Sequence, residues 1–370
     1  MTTKPGFRIV SLDGIRAVAA LIVFVSHNGL EELIPGGFGV SIFFFLSGYL
    51  ICTLLRMEYA GTGWINLRDF YLRRVYRIFP PFYIVLLLFA VPPFGHLGRE
   101  TTAAAVIGQI AQLTNYVSVF GTQKIIPLTA PMWSLAVEEH FYLLFPVALR
   151  ALLGRFDSRR IALILLIACA AALAWRYVLV FALHASPDYI YVATDTRFDA
   201  LLYGCVMAIA FNPALDQDCL RLSARVWGFI VAASLAVLAF TLVYRNPVFR
   251  QTLRYTLQGI ALFPVFFCAV RYHRWLIFRW LEHPWVRGLG IISYTFYLVH
   301  EKCLQMAGRL VGHGLLVRGV VGLLFTIAVS TLMYYLVERR FAALRKKLHR
   351  ESRRPGPERP ATTSTAAIQT

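Results

Sequence analysis

The sequence is short of charge. Only 15% of its 370 residues are Asp, Glu, Lys or Arg, against about 25% in ordinary soluble domains. Acidic residues are scarcest, at 19 against 37 Lys and Arg. Too few charges remain to cover a soluble surface of this size. Cysteine is also sparse: there are six, isolated from one another, with Cys52, Cys169, Cys205, Cys268 and Cys303 in or beside apolar runs. No paired spacing appears, so neither a metal site nor a disulfide framework is expected. No internal repeat is visible, which argues against an inverted-repeat transporter. No small-residue cleavage pattern follows the first apolar run, so a cleavable signal peptide is not expected.

What the sequence has in quantity is apolar surface, 58% of residues, and it comes in blocks. IVLLLFAV, IALILLIACAAALAW, VWGFIVAASLAVLAFTLVY and GVVGLLFTIAVSTLMYYLV approach the roughly 20 residues that cross a bilayer as helix. The predicted fold is an all-α polytopic membrane protein of about ten transmembrane helices, near 14–30, 38–56, 78–94, 133–151, 160–181, 197–212, 225–244, 254–271, 289–311 and 316–338. The stretch 103–121 is apolar on one side and carries Gln109, Gln112 and Asn115; it reads as interfacial or re-entrant, with an eleventh span as the alternative.

The net charge of +18 does not point to nucleic acid. Lys and Arg concentrate in alternate loops and in the last segment, and the positive-inside bias puts both termini in the cytoplasm. Residues 1–340 form the membrane-embedded domain. Residues 341–370, rich in Arg, Lys, Pro, Ser and Thr, read as a basic, disordered cytoplasmic tail. Arg245, Arg250 and Arg254 fall in an outer loop and run against the bias, for which an anionic outer ligand is the one physical account.

Ionisable groups in hydrocarbon are costly and mark function by default. Arg16 and His27 are separated by three helical turns plus about 20°, hence share a face about 16 Å apart along the axis. Alone, Arg16 reads equally as a snorkelling anchor, His27 as a packing residue and Asp13 as a cap or ion-pair partner of Arg16. Arg74 and Arg77, beside Arg73 in FYLRRVYRIFPPFY, share a face and suit a phosphate-bearing ligand; a stop-transfer cluster is the plainer reading. Pro80-Pro81 is expected to end or kink that helix and shape an entrance. Gly36, Gly37 and Gly39 permit a tight outer turn, and Ser47-Gly48 a close helix crossing. Glu138 and Glu139 in WSLAVEEHFYLLFP, at or below the outer boundary, read as the wall of a polar cavity. RFDALLYG and SYTFYLVHEK bring Arg197, Asp199, Ser293, Tyr294, Tyr297 and His300 to membrane ends.

Taken in order, the Arg-x10-His of Arg16 and His27, GVSIFFFLSGYLI, RRVYRIFPPFY, WSLAVEEHFY, RFDALLYG and SYTFYLVH resemble the acyltransferase-3 family of integral membrane acyltransferases, over about residues 8–340. The sequence departs in carrying His140 where a glutamine is usual and Tyr49 where a phenylalanine is usual. The resemblance implies a membrane-embedded acyltransferase domain in a bacterial plasma membrane. It implies transfer of an acyl group, commonly acetyl from acetyl-CoA, to a hydroxyl of a glycan or glycosylated acceptor. Arg16, Arg74 and Arg77 are then expected to hold acyl-CoA phosphates. His27, expected to be neutral because it is buried, is the base, or the nucleophile of an acyl-histidine route. Glu138 or Glu139 is expected to orient the base or bind acceptor hydroxyls. Asp13, Ser47, Arg197, Asp199, Tyr297 and His300 are expected around the cavity. Acyl-CoA is a co-substrate, and no permanently bound cofactor is expected. The rival reading is a proton-coupled exporter of a glycan precursor, since buried Arg, His and Glu are equally natural there.

Overall fold

The computed structural model describes residues 9–92, 101–120, 125–216, 219–312 and 314–351, and among these every regular element is helical. Ten long helices answer the ten predicted ones: α1 (Val10–Val25), α2 (Gly36–Thr62), α3 (Leu67–Ala90), α4 (Trp133–Leu153), α5 (Ser158–Phe181), α6 (Thr194–Ala210), α7 (Ala224–Val243), α8 (Leu253–Arg271), α9 (Ser293–Val311) and α10 (Leu315–Met333). Six stretches, built on α1, α2, α5, α7, α8 and α10, are long and apolar enough to cross a membrane. The other four, α3, α4, α6 and α9, carry polar islands, and α6 is also short at 17 residues. Phe229, Val243, Leu316, Val320, Leu324 and Leu332 lie exposed on α7 and α10. An apolar surface of that kind is tolerated in lipid and not in water; the chain is an integral membrane protein.

α2 runs through the middle of the bundle, with Phe44, Phe45, Leu46, Tyr49, Ile51 and Leu55 at 1% exposure or less. Its crossing with α6 is backbone on backbone. A Cβ on Gly48 would strike the Leu201 carbonyl, and one on Gly204 would strike that of Phe45, which bears out the close crossing predicted from Ser47-Gly48. Beneath it lies an ion pair that the apolar run 160–181 conceals. Arg176 Nη2 of α5 meets Asp199 Oδ2 of α6 at 2.8 Å, with both side chains fully buried. Arg176 also donates to the Thr196 carbonyl and the Thr256 hydroxyl, tying α5, α6 and α8 together.

Three segments differ from expectation. α3 begins at Leu67 and continues through Pro80 and Pro81 to Ala90, so the arginines sit inside the helix and not at its entrance. Tyr294 donates to the Ile78 carbonyl at 2.9 Å in the turn that the prolines disturb. The stretch 103–121 is two short helices, Ala103–Ile110 and Thr114–Phe120, broken at Gln112 with φ 60°, and neither is long enough to span. Its polar residues turn inward: Gln109 binds Thr129 and the Ile126 amide, and Asn115 binds Thr194. Past α10 a π turn, Tyr334–Glu338, leads into the helix Arg339–Glu351. Helix thus occupies 341–351, where a disordered tail is predicted, and this final helix, Arg339–Glu351, packs against α3. Residues 352–370 of that tail lie outside the described residues.

Candidate active site

The α-helical ladder of α1 stops at Val25 and gives way to a π turn, Ser26–Leu30. Ser26 Oγ accepts the Gly36 amide at 2.9 Å, drawing the turn onto the start of α2. Gly29 takes φ 97°, a left-handed conformation that costs glycine nothing sterically. Buried Asn28 donates to the Leu315 carbonyl at 2.9 Å and accepts from Arg318 Nε at 3.0 Å. His27 thus stands at the start of this turn, directly after Ser26, whose amide still reaches the Ile22 carbonyl. Arg16 and His27 line two different cavities.

His27 opens onto a cavity of about 910 Å³, lined also by Trp133, Tyr191, Tyr297 and Glu301. Its side chain is exposed rather than buried, and hydrogen bonding fixes its tautomer. Behind it His300, 1% exposed, places Nδ1 2.6 Å from the Tyr297 carbonyl and Nε2 2.8 Å from His27 Nδ1. A carbonyl only accepts, so His300 Nδ1 carries the proton. A charged ring buried without an anion is costly, so His300 Nε2 holds a lone pair, and His27 Nδ1–H donates to it. Neutral His27 is left with its lone pair on Nε2. The tautomer follows from the second histidine.

On the Arg16 side of the bundle a narrow cleft of about 80 Å³ is lined by Arg16, Ser47, Arg74, Arg77, Glu138, Glu139, Tyr142, Ser293, Tyr294 and Tyr297. Arg16 pairs with Asp13 at 3.6 Å. Arg74 lies over the Tyr142 ring, 5.4 Å from its centroid, and its buried Nε has no partner. Glu138 accepts from Ser47 at 3.1 Å and from Tyr142 at 2.7 Å. The cleft and the His27 cavity both touch Val40 and Tyr297. Tyr297 is fixed there by its hydroxyl, which donates to the Pro131 carbonyl at 2.8 Å and meets Ser134 at 2.7 Å.

Residues 9–335, carrying both cavities, match the family model described as an acyltransferase domain. The chain belongs to the acyltransferase-3 family. It is 30% identical over 351 residues, 91% of its own length, to the O-acetyltransferase OatA of Staphylococcus aureus strain NCTC 8325 / PS 47, and equally to those of strains COL and MRSA252. It spans 57% of the length of those relatives. No solved structure matches it.

In this acyltransferase-3 chain the predicted site residues divide. Arg16, Ser47, Arg74, Arg77, Glu138 and Glu139 gather in the cleft, His27 stands in the larger cavity with His300 behind it, and Tyr297 borders both. Glu138 and Glu139 are therefore beside the arginines and not beside the histidine they are predicted to orient. Arg197 and Asp199 line neither cavity. Asp199 is the buried partner of Arg176, and Arg197 binds the Tyr191 carbonyl and stacks on Tyr255, 4.0 Å from its centroid. Asp13 does not line the cleft, but it pairs with Arg16, which does. His140, a second imidazole in the sequence, is bound to Thr194 at 2.7 Å and lines neither cavity. Glu301 is the residue that motif reasoning passes over. It borders the His27 cavity with Oε2 unpartnered, and its only signal is that it follows His300.

Proposed function

We propose that this chain moves an acyl group, acetyl by family likeness, from cytoplasmic acyl-CoA to a hydroxyl of a glycan or glycosylated acceptor, with His27 as general base, in a bacterial plasma membrane. One observation carries the reading: an arginine-lined cleft and a histidine-bearing cavity adjoin at Tyr297 and Val40. Arg16, Arg74 and Arg77 suit the phosphates of the donor, because guanidinium forks match phosphate oxygens. The pantetheine arm then runs along the cleft toward Tyr297. The name of the Staphylococcus relatives, O-acetyltransferase, supports oxygen as the acceptor atom. Ten spans with both termini inside is the topology that fits this donor side, with α3, α4, α6 and α9 crossing as polar helices shielded within the bundle.

In this mechanism His27 Nε2 takes the proton of the acceptor hydroxyl as its oxygen attacks the thioester carbonyl. Collapse of the tetrahedral adduct breaks the carbon–sulfur bond, and the imidazolium returns the proton to the leaving thiolate. His300 stabilises the imidazolium form of His27 by accepting from Nδ1, and it holds the ring's orientation. His300→Ala is expected to lower kcat by about ten- to a hundred-fold with donor KM unchanged, measured by initial rates at varied acyl-CoA.

The test is direct. Membrane vesicles given acetyl-CoA labelled in the acetyl group transfer label to glycan if the reading is right. Export of an unmodified precursor would support the rival carrier. The double variant Arg74→Ala/Arg77→Ala should weaken acyl-CoA binding by about 10² to 10⁴-fold, at roughly 1.5–3 kcal/mol per charged contact. Unchanged CoA affinity with poor membrane insertion would instead assign these arginines to stop-transfer.

A further inference from the structure

The His27 cavity has a second polar wall that the acyl-transfer step does not use. Arg245, Arg250 and Arg254 all line it, and they descend in order: Arg245 is exposed, Arg250 half-buried and Arg254 only 8% exposed. Arg250 sits on the short helix Pro247–Gln251, and Arg254 in the first turn of α8. Among the described residues none of the three forms an ion pair. Arg254 stacks 4.8 Å from the Tyr255 centroid and donates one Nη to that hydroxyl at 2.8 Å, while its Nε is buried without a partner. The three repel one another. Burial first, then Arg254 and Arg245, lower the pKa of Arg250. Unpaired guanidinium groups converging on one cavity are an arrangement that an anion would stabilise.

The cavity is not uniformly basic. Glu31, Glu32 and Asp188 also border it, but all three are exposed and screened by water. Glu301 is the carboxylate within, half-buried, with Oε2 unpartnered and on the His300 side. Charge is thus sorted: arginines on the wall formed by α8 and the segment before it, a carboxylate and the base on the wall formed by α1 and α9. Trp133 and Tyr191, which pack on each other with ring centroids 5.0 Å apart, complete the lining.

We infer that the acceptor carries an anionic oxygen group, carboxylate or phosphate, which Arg250 and Arg254 bind so that a hydroxyl elsewhere on the same molecule faces His27 and Glu301. This deepens the acyl-transfer reading and rests on it for the identity of the acceptor. The two walls then act as an orienting pair, since an anion at the Glu301 wall is repelled and a hydroxyl there is accepted. Arg245, at the rim, steers the approaching anion.

The experiment is equilibrium binding to the full chain in nanodiscs of phosphatidylcholine at low ionic strength, with glucuronate, glucose 1-phosphate and glucose as probes. The expected result is that at least one anionic probe binds about ten-fold more tightly than glucose, and that salt reduces this preference. Arg254→Gln and Arg250→Gln each remove the preference; Arg250, half-buried, serves if Arg254→Gln does not fold. Arg340→Gln, on the exposed face of the final helix, leaves it intact. Equal binding of glucose and both anions overturns the inference, as does a preference that survives both cavity substitutions or that Arg340→Gln abolishes equally. His27→Ala keeps the anion preference, so failure of the acyl-transfer reading appears as absent label transfer, while failure of this one appears in binding alone.

Discussion

Replacing His27 with alanine is expected to lower acyl transfer by about 10² to 10⁴-fold while the protein still inserts and binds acyl-CoA. The magnitude is that of losing a positioned base. The reason for a clean separation from binding is geometric: His27 lines the larger cavity, whereas Arg16, Arg74 and Arg77 line the cleft. The substitution also leaves the fold largely untouched, because His27 is exposed and the π turn is held by Ser26, Asn28 and Arg318 rather than by the imidazole. Label transfer from acetyl-CoA, measured beside CoA affinity and the elution profile of the purified protein, decides the matter. Full residual transfer in a well-behaved variant removes His27 from the mechanism. The companion His300→Ala is expected to cost less, since it takes away orientation and charge stabilisation but leaves the base.

The second large effect concerns stability. Arg176→Met is expected to cost about 3–5 kcal/mol, the range for stranding one member of a buried pair, and this is a large part of the roughly 5–15 kcal/mol that holds an ordinary domain together. Asp199 would then sit fully buried without its counter-ion, and its Oδ1 already lacks a partner. Two further groups, the Thr196 carbonyl and the Thr256 hydroxyl, lose their donor at the same time. The double substitution Arg176→Met/Asp199→Leu is expected to recover much of the loss, because it removes both charges together. Thermal midpoints and the yield of monodisperse protein measure both variants. If the single and double variants are equally destabilised, packing volume and not charge pairing is what this site contributes.

A milder consequence follows from the α2–α6 crossing. Gly48→Ala is expected to destabilise the bundle by about 1–3 kcal/mol, as overpacking does, because the added methyl meets the Leu201 backbone, which has no rotamer by which to retreat. The thermal midpoint again reports it, and an unchanged value would mean that the crossing opens freely.

The parts of this protein that were legible in the sequence are those governed by period and solvent. Helices long enough for a bilayer announce themselves through composition, and all ten predicted ones are present as helix. Gly48 announced a close crossing because only a missing Cβ allows one. Arg176 did not announce itself: set within IALILLIACAAALAW-R-YVLVF, a single charge reads as an interruption of an apolar run, and its partner lies on another helix 23 residues away. Asp199 and Arg197 were expected around the cavity for the same reason, and they line neither of the two cavities described. A buried ion in a membrane helix marks either a cavity or an internal pair, and sequence does not tell which neighbour it faces. Of the two outcomes expected at Pro80-Pro81, an end is excluded: α3 runs on to Ala90, as a helix in a bundle does where neighbouring helices support the turn that prolines disturb.

By itself the sequence determined the solvent, the helical character of the long segments, the family and most of the residues that carry charge into the apolar interior. Those properties are sums or short-range patterns, and they survive without knowledge of which helix touches which. The tertiary structure alone decided the sorting of that set: Glu138 and Glu139 toward the arginine cleft, His300 behind His27, Arg197 and Asp199 into packing, and three arginines onto the wall of the His27 cavity. Such assignments depend on which helices meet, and the turn that carries His27 is held by Gly36 of α2 and by Leu315 and Arg318 of α10, all distant in sequence or across a loop.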